Sequence, residues 1–266
     1  MKPILPISRL HQSHLEQLTG CRYAVLLALA QALGPQLAVR RGRPYQHGPL
    51  AMAVLTFLKL RWNVSYRALE ALTGVDAVTL SRYVQKVTAA LNRLPLRARA
   101  AGCLLVDTTS VRVACTSLAA YSGHKHQRCA KVQLVCDEAG AIVHVGRAWP
   151  GSVHDKTVYE RERVTLARTL RAPMLADKAY AGVHDDGAGL MRPIKRNEKA
   201  WATHARRAYN RELNRRRVRV EHVFARLKTF RVLQGIFPFR WPSLGQIVRA
   251  LSVVHNAHRC LAGINS

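Results

Sequence analysis

The spacing of hydrophobic positions predicts helices throughout the first hundred residues. Leu50, Val54 and Leu58 recur with a helical period, and residues 51–73 contain neither glycine nor proline. This pattern predicts a helix that continues to a turn around Gly74.

A second helix is predicted directly after that turn. Asp76 is suited to cap its first turn, and apolar positions follow with helical spacing. These positions are Leu80, Tyr83, Val84, Val87 and Leu91. Two helices joined by a glycine-containing turn are typical of a helix-turn-helix, whose second helix would expose Thr79, Arg82, Gln85 and Lys86 to DNA. An ordinary helical hairpin with a charged outer face fits the same stretch.

The pattern changes after residue 102, where short apolar runs predict β-strands. The predicted strands are Cys103–Val106, Val111–Cys115, Lys131–Cys136, Ala141–Gly146, Pro173–Ala176 and Leu190–Ile194. Helices are predicted from about residue 155 to 170, from about residue 200 onwards, and over 244–261. We therefore predict an α/β fold with a mixed sheet, preceded by an all-α region. Residues 1–98 form the predicted helical domain and residues 99–266 the predicted second domain.

The charge of the chain indicates a polyanionic partner. Lys and Arg number 42 against 15 Asp and Glu, a formal net charge of +27. Such an excess favours binding to nucleic acid, because cationic side chains release counterions from phosphates. The segment Arg41-Gly-Arg43-Pro could lay its arginines in a narrow minor groove, although a flexible basic linker is the alternative.

Targeting signals and paired cysteines are not evident in the sequence. The first residues lack the apolar segment of a signal peptide, and the apolar stretches elsewhere are too short to span a bilayer. None of the six cysteines forms a C-x-x-C pair, so we expect them to be buried hydrophobic residues in a reducing compartment. We predict a cytoplasmic, nucleoid-associated protein.

Three carboxylates carry the candidate chemistry. Asp107 and Asp177 each end an apolar run, and Glu221 lies within a predicted helix. Carboxylate oxygens are the ligands that Mg²⁺ prefers, and two such ions can activate water and stabilise a phosphodiester transition state. We therefore predict a site for Mg²⁺ or Mn²⁺, with two ions, that cleaves nucleic acid.

The helix around Glu221 also carries two cationic residues. Arg217 precedes Glu221 by four positions and Lys228 follows it by seven, so the three share one helical face. Arg217 and Lys228 are suited to hold phosphates beside the metal ions. The alternative is a solvated helix with intrahelical ion pairs.

Five segments resemble the DDE-type insertion-sequence transposases. The match to the glutamate helix is Asn210-x-x-Leu-x-x-x-Arg217-x-x-x-Glu221-x-x-Phe-x-x-x-Lys228. The remaining matches are Leu105–Thr109 and Ala176–Tyr180 around the aspartates, Gly151-x-x-His154-Asp155, and the helix-turn-helix segment Tyr66–Gln85. Together they cover the chain from about residue 41 to about residue 239.

The resemblance implies an RNase H-like fold in which Asp107, Asp177 and Glu221 bind the metal ions. It also implies that Arg217 and Lys228, together with Lys178, contact DNA. A member of this family would bind terminal inverted repeats as a dimer or larger assembly, cleave the ends and join their 3′-hydroxyls to target DNA. An inactive DNA-binding relative and an RNase H-like nuclease without strand transfer are the alternatives.

Three positions leave questions open at the site. Asp155 is an alternative to Asp177 as the second metal ligand, although Asp155 is better placed to cap a helix. Asn214 stands where the family usually has tyrosine, and Ala179 stands where it has glycine. If residue 179 requires a positive φ, alanine would strain that turn.

Overall fold

The computed structural model describes residues 10–38, 44–96, 102–123, 125–170, 172–181, 183, 189–195 and 203–262. These residues form two compact units. Among the described helices, none combines the length and apolar character needed to cross a bilayer.

The first unit contains five helices from the N-terminal part of the chain. They are α1 (Gln12–Thr19), α2 (Tyr23–Leu37), α3 (Pro49–Trp62), α4 (Tyr66–Thr73) and α5 (Ala77–Arg93). Every residue of α3 from Met52 to Leu60 is buried. A helix covered on all sides lies at the centre of its unit, so α3 organises the packing of the others.

The long helix predicted to end near Gly74 is in fact two helices, a correction to the sequence prediction. Asn63 ends α3 in the left-handed conformation, with φ 53°. Ser65 then caps α4, because its side chain accepts a hydrogen bond from the Ala68 backbone N–H. Local capping chemistry therefore interrupts a pattern that lacks glycine and proline.

The predicted pair of helices joined by a glycine-containing turn is present, and its role as a DNA-binding helix-turn-helix stays a prediction. Gly74 ends α4 at φ 71°, and the Asp76 carboxylate accepts hydrogen bonds from the backbone N–H groups of Val78 and Thr79 at the start of α5. Glycine suits this turn because it adopts positive φ without strain.

The first unit also includes residues from the C-terminal part of the chain. Residues 227–238, with the short strand Ile236–Phe237, and residues 246–262 belong to it, although the sequence prediction assigned them to the second domain. The Arg249 guanidinium donates hydrogen bonds to the backbone carbonyls of Asn92 and Leu94, which attaches the final helix to the end of α5. The predicted division between residues 98 and 99 falls outside the described residues and stays a prediction.

The second unit contains a mixed sheet. Its strands are β1 (Leu104–Val113), β2 (Tyr121–Ser122), β3 (Gln127–Asp137), β4 (Ile142–Pro150), β5 (Met174–Leu175) and β6 (Leu190–Met191). β3 lies antiparallel to β1 and β4, whereas β5 runs parallel to β1 and β6. This arrangement confirms the predicted α/β class with a mixed sheet.

Two helices of this unit position the polar residues described below. α6 spans Asp155–Thr169, and α7 begins at Thr203 and continues to Lys228. Tyr159 and Leu166 of α6 belong to one buried cluster with Leu104 and Val106 of β1. α6 therefore covers the face of the sheet that carries the even-numbered residues of β1.

The first predicted strand is longer than expected. The predicted strands Cys103–Val106 and Val111–Cys115 form one continuous strand, because the polar residues between them pair with β3 through its whole length. The predicted hairpin between β3 and β4 is confirmed. Gly140 adopts φ 86° at its tip, and the Asp137 carboxylate accepts a hydrogen bond from the Ala141 backbone N–H.

Candidate active site

Asp107 on β1 and Asp177, two residues after the end of β5, occupy matching positions relative to two paired parallel strands. Leu104 and Leu105 pair with Met174 and Leu175, and each aspartate follows the second member of its pair by two residues. Because side chains alternate along a strand, both carboxylates project from the same face of the sheet. The predicted convergence of these two residues is therefore present in the structure.

In each aspartate, one carboxylate oxygen accepts a hydrogen bond from the backbone N–H of the next residue. The Thr108 backbone N–H donates to Asp107 Oδ1 at 2.7 Å. The Lys178 backbone N–H donates to Asp177 Oδ1 at 2.6 Å. Each side chain is thus oriented by the residue that follows it, and its second oxygen remains available for another cationic group.

The Arg217 guanidinium lies between the two carboxylates. Its Nη1 donates to Asp177 Oδ1 at 3.1 Å, and its Nη2 is 3.8 Å from Asp107 Oδ2. Arg217 is 8% exposed, within the buried stripe of α7. Its Nε is buried and has no hydrogen-bond partner among the described residues. An arginine buried at this depth acts mainly on the two acids.

The carboxyl group of Asp107 is strongly affected by its surroundings. Burial is the largest effect and raises its pKa from 3.8 to about 6. The Thr108 N–H and the Arg217 guanidinium oppose this shift, whereas the negative charges of Asp177 and Asp155 add to it. A partly buried carboxylate close to other acids is a favourable ligand for a divalent cation, because the cation offsets their mutual repulsion.

A buried tyrosine completes the environment of Asp107. The Tyr180 hydroxyl and the Thr108 Oγ1 are 3.0 Å apart. Burial raises the pKa of Tyr180 well above its ordinary value, and the charges of Asp107 and Asp155 act in the same direction. The ring also packs edge-to-face on Tyr159 of α6. Tyr180 therefore remains neutral and links the second aspartate segment to β1.

Asp155 lies near the site in a different role from the one predicted. The helix cap is His154, whose Nδ1 accepts a hydrogen bond from the Lys156 backbone N–H. Asp155 itself accepts a hydrogen bond from Lys131 Nζ at 3.0 Å. Lys131 also donates to the Val153 carbonyl, so it anchors the loop that leads into α6.

Glu221 is the predicted ligand that the structure does not group with the others. Within the described residues, no three His, Cys, Asp or Glu side chains are arranged to hold one metal ion. Glu221 is exposed and lies one helical turn, about 6 Å along the axis, beyond Arg217. Its role as a ligand stays a prediction.

The remaining predicted DNA contacts are distributed over both units. Lys178 is exposed, and Lys228 is partly buried at the end of α7. Arg82, Gln85 and Lys86 are exposed on α5, as the helical pattern predicted. Arg41 and Arg43 lie outside the described residues.

The donor set suits a hard divalent cation. Asp107 and Asp177 present carboxylate oxygens on one face of the sheet. Hard cations such as Mg²⁺ bind through one or two carboxylates and keep several waters, so two aspartates are a sufficient core for such a site. The residues therefore fit a divalent metal ion.

The sequence did not indicate several contacts at this site. Arg217 was predicted to bind phosphate, and its contact with both aspartates depends on how α7 lies on the sheet. Tyr180 is adjacent to the Asp177 segment, but its partner Thr108 is far away in sequence. Ala179 lies in a 3₁₀ turn and is absent from the described non-glycine residues with positive φ, so the expected strain does not occur.

Comparison with known proteins identifies relatives. Residues 102–256 match the family model of the DDE superfamily endonucleases. A probable transposase for insertion sequence element IS702 from Microchaete diplosiphon is 30% identical over 137 residues, which are 51% of this chain and 49% of that protein. A putative transposase for insertion sequence element IS112 from Streptomyces albus G is 30% identical over 202 residues, 74% of this chain and 75% of that protein.

Proposed function

This chain belongs to the DDE superfamily of endonucleases, and we propose from that premise that it is a transposase that cleaves DNA at the ends of an insertion sequence and joins them to target DNA. The single observation that carries the proposal is the pair of carboxylates at matching positions of the parallel β1 and β5 segments, which Arg217 contacts together.

The side chains of the site have separable roles in this proposal. Asp107 and Asp177 bind divalent metal ions, and Glu221 completes the ligand set from α7. The backbone N–H groups of Thr108 and Lys178 fix the orientation of the aspartates. Arg217 balances their negative charge, and its predicted contact with a DNA phosphate stays a prediction.

The metal ions, either Mg²⁺ or Mn²⁺ and two in number, would activate the attacking water or hydroxyl and stabilise charge on the phosphate oxygens. The residues around them orient the substrate. Lys178 and Lys228 are proposed to contact phosphates beside the site. Both are cationic, Lys178 is adjacent to Asp177, and Lys228 is on the same helix as Glu221.

DNA ends are proposed to bind at the helix-turn-helix. Arg82, Gln85 and Lys86 form the exposed face of α5, which can enter a major groove. Arg41 and Arg43 would supplement this contact from the minor groove. We further propose a cytoplasmic protein that acts on the nucleoid as a dimer or a larger assembly.

The function is tested by incubating the protein with a duplex that carries the inverted repeats flanking its own coding sequence. We expect nicks at the repeat ends with Mg²⁺ or Mn²⁺ and none with EDTA. Scrambled repeats are the control for end recognition. Binding without cleavage in either metal would contradict the proposal in favour of an inactive DNA-binding relative.

A second assay separates the transposase from a simple nuclease. Duplexes with precut 3′-hydroxyl ends are mixed with plasmid target, and joined products are measured. Strand transfer is expected, because in-line attack by a 3′-hydroxyl uses the same metal site as attack by water. Cleavage without joining would support the RNase H-like nuclease instead.

Metal binding should depend on pH around the raised pKa of Asp107. The ligand is the ionised carboxylate, and its folded-state pKa of about 6 means that it takes up a proton as the pH falls below that value. Mn²⁺ affinity, measured by calorimetry, should fall roughly tenfold per pH unit below about pH 6. Asp107→Asn should bind weakly and lose this pH dependence. A constant affinity between about pH 5 and 7 would contradict a ligand role for Asp107.

A further inference from the structure

Two arginines lie over one tryptophan in the second unit, away from the proposed metal ligands. The Arg147 guanidinium carbon is 3.9 Å from the Trp149 ring centroid, and the Arg161 guanidinium carbon is 5.3 Å from it. Arg147 and Trp149 belong to β4, and Arg161 belongs to α6. Both arginines are exposed, whereas Trp149 is 4% exposed. We call these three residues the Trp149 stack.

The buried carboxylate of Glu162 fixes the orientation of the indole ring in the stack. Trp149 Nε1 donates to Glu162 Oε1 at 2.6 Å, and the Arg147 backbone N–H donates to the same oxygen at 3.2 Å. Glu162 is 7% exposed. A Cβ atom at Gly146 would lie 2.1 Å from Glu162 Oε2, so glycine is needed there to admit the carboxylate.

The outer surface of the stack is positively charged. Glu162 points inward, so its charge is shielded from solvent by the groups that cover it. Among the described residues, no carboxylate forms a salt bridge with Arg147 or Arg161. Two cations held close together without an exposed counter-ion form a surface suited to an anionic partner.

The chemistry of the stack favours phosphate as that partner. A guanidinium stacked on an aromatic face keeps its N–H edge free for bidentate bonds to a phosphate. The indole is too deeply buried to stack on a nucleobase, so the contact would be to the DNA backbone and independent of sequence.

The stack and the acids belong to the same sheet but to opposite faces of it. Trp149 pairs with Lys131 across β3 and β4, and Lys131 pairs with Ser110 of β1, so the stack lies on the face that α6 covers. Asp107 is an odd-numbered residue of β1 and projects from the other face. An anchor at the stack would therefore contact DNA phosphates other than those at the acids.

We propose that Arg147 and Arg161, oriented by Trp149, bind backbone phosphates of the substrate DNA as an auxiliary anchor in the catalytic unit. The inference rests on the proposed function, because it takes DNA as the substrate. It adds a contact surface that the helix-turn-helix and the metal ligands do not provide.

The test is the salt dependence of DNA binding by the full chain. The double variant Arg147→Gln/Arg161→Gln should give a plot of log affinity against log salt concentration that is shallower by about 1.8, since each phosphate contact contributes about 0.9. At about 0.1 M salt, binding to non-specific duplex should be roughly 50-fold weaker. The variant Arg147→Lys/Arg161→Lys should keep the slope, because it keeps the charge.

A matched pair of exposed arginines in the same unit serves as the control. Arg112→Gln/Arg128→Gln removes equal charge but leaves the stack intact, and it should leave the slope unchanged. The proposal is overturned if both glutamine pairs reduce the salt dependence of DNA binding equally. It is also overturned if the Arg147→Gln/Arg161→Gln variant binds DNA as wild type does, a result that would favour an acidic protein partner. If the wild-type chain binds no DNA, the proposed function fails instead. If Arg147→Gln/Arg161→Gln does not fold, the Arg147→Lys/Arg161→Lys variant takes its place. A shallower salt dependence of DNA binding in this lysine variant then overturns the proposal.

Discussion

Replacing Asp107 with asparagine is expected to lower metal-dependent DNA cleavage by at least about 10³-fold. A divalent ion contributes several kcal/mol of transition-state stabilisation, and each 1.36 kcal/mol changes the rate about tenfold. Asparagine keeps the hydrogen bond from the Thr108 N–H, but it removes the charge that binds the metal. Asp177→Asn is expected to cause a similar loss. Initial rates of nicking at saturating Mn²⁺ provide the measurement.

Asp137→Asn is a suitable control for this change. Asp137 lies on the same sheet and is buried, and an asparagine oxygen can still accept the hydrogen bond from the Ala141 N–H. Its cleavage rate should match that of wild type. If Asp107→Asn also retains the wild-type rate, the assignment of the site is wrong.

The same assay decides the identity of the third ligand. Glu221→Gln is expected to lower cleavage about as strongly as Asp107→Asn, because Glu221 completes the ligand set in our proposal. An exposed glutamate can change rotamer within nanoseconds, so its position without metal does not prevent binding. If Glu221→Gln remains active while Asp155→Asn is inactive, Asp155 is the ligand.

Replacing Arg217 with glutamine is expected to lower the free energy of unfolding of the metal-free protein by about 2 kcal/mol. Removing one member of a buried ion pair costs about 3–5 kcal/mol, and the half-exposed Asp177 reduces that effect. The two aspartates then face each other without the guanidinium. Urea denaturation in EDTA measures the loss.

Mn²⁺ should restore most of the stability of this variant, because a divalent ion between the carboxylates replaces the charge of the guanidinium. Arg216→Gln is the neighbouring control, since Arg216 forms surface ion pairs with Glu138 and Glu212 and should contribute less than about 1 kcal/mol. An equal loss in both variants, or no recovery with Mn²⁺, would contradict a role for Arg217 at the acids.

Much of the fold was predictable because its determinants are local. Helical spacing and the Asp76 cap located α5, and the glycine-containing turn located the hairpin between β3 and β4. One error came from strand pairing between distant residues, and the other from a helix cap that hydrophobic spacing does not show. β1 continues through polar residues because β3 pairs with it, and α3 ends at Asn63 through a cap that hydrophobic spacing does not reveal.

The approach of the two candidate aspartates was predictable from the sequence, whereas the rest of the arrangement around them was not. The two aspartates converge because the apolar residues that precede each of them pair as parallel strands in the sheet. The burial of Arg217 between them and the proximity of Asp155 were not predictable, because each depends on how a helix lies on the sheet.

The sequence by itself determined most of the secondary structure, the positive charge and the identity of the candidate acids, since these depend on residue type and short-range spacing. Only the tertiary structure decided which charges meet. It placed Arg217 between Asp107 and Asp177, left Glu221 exposed one turn away, and positioned two arginines over Trp149. Contacts of this kind join residues that are distant in the chain, and packing of helices on the sheet fixes their distances.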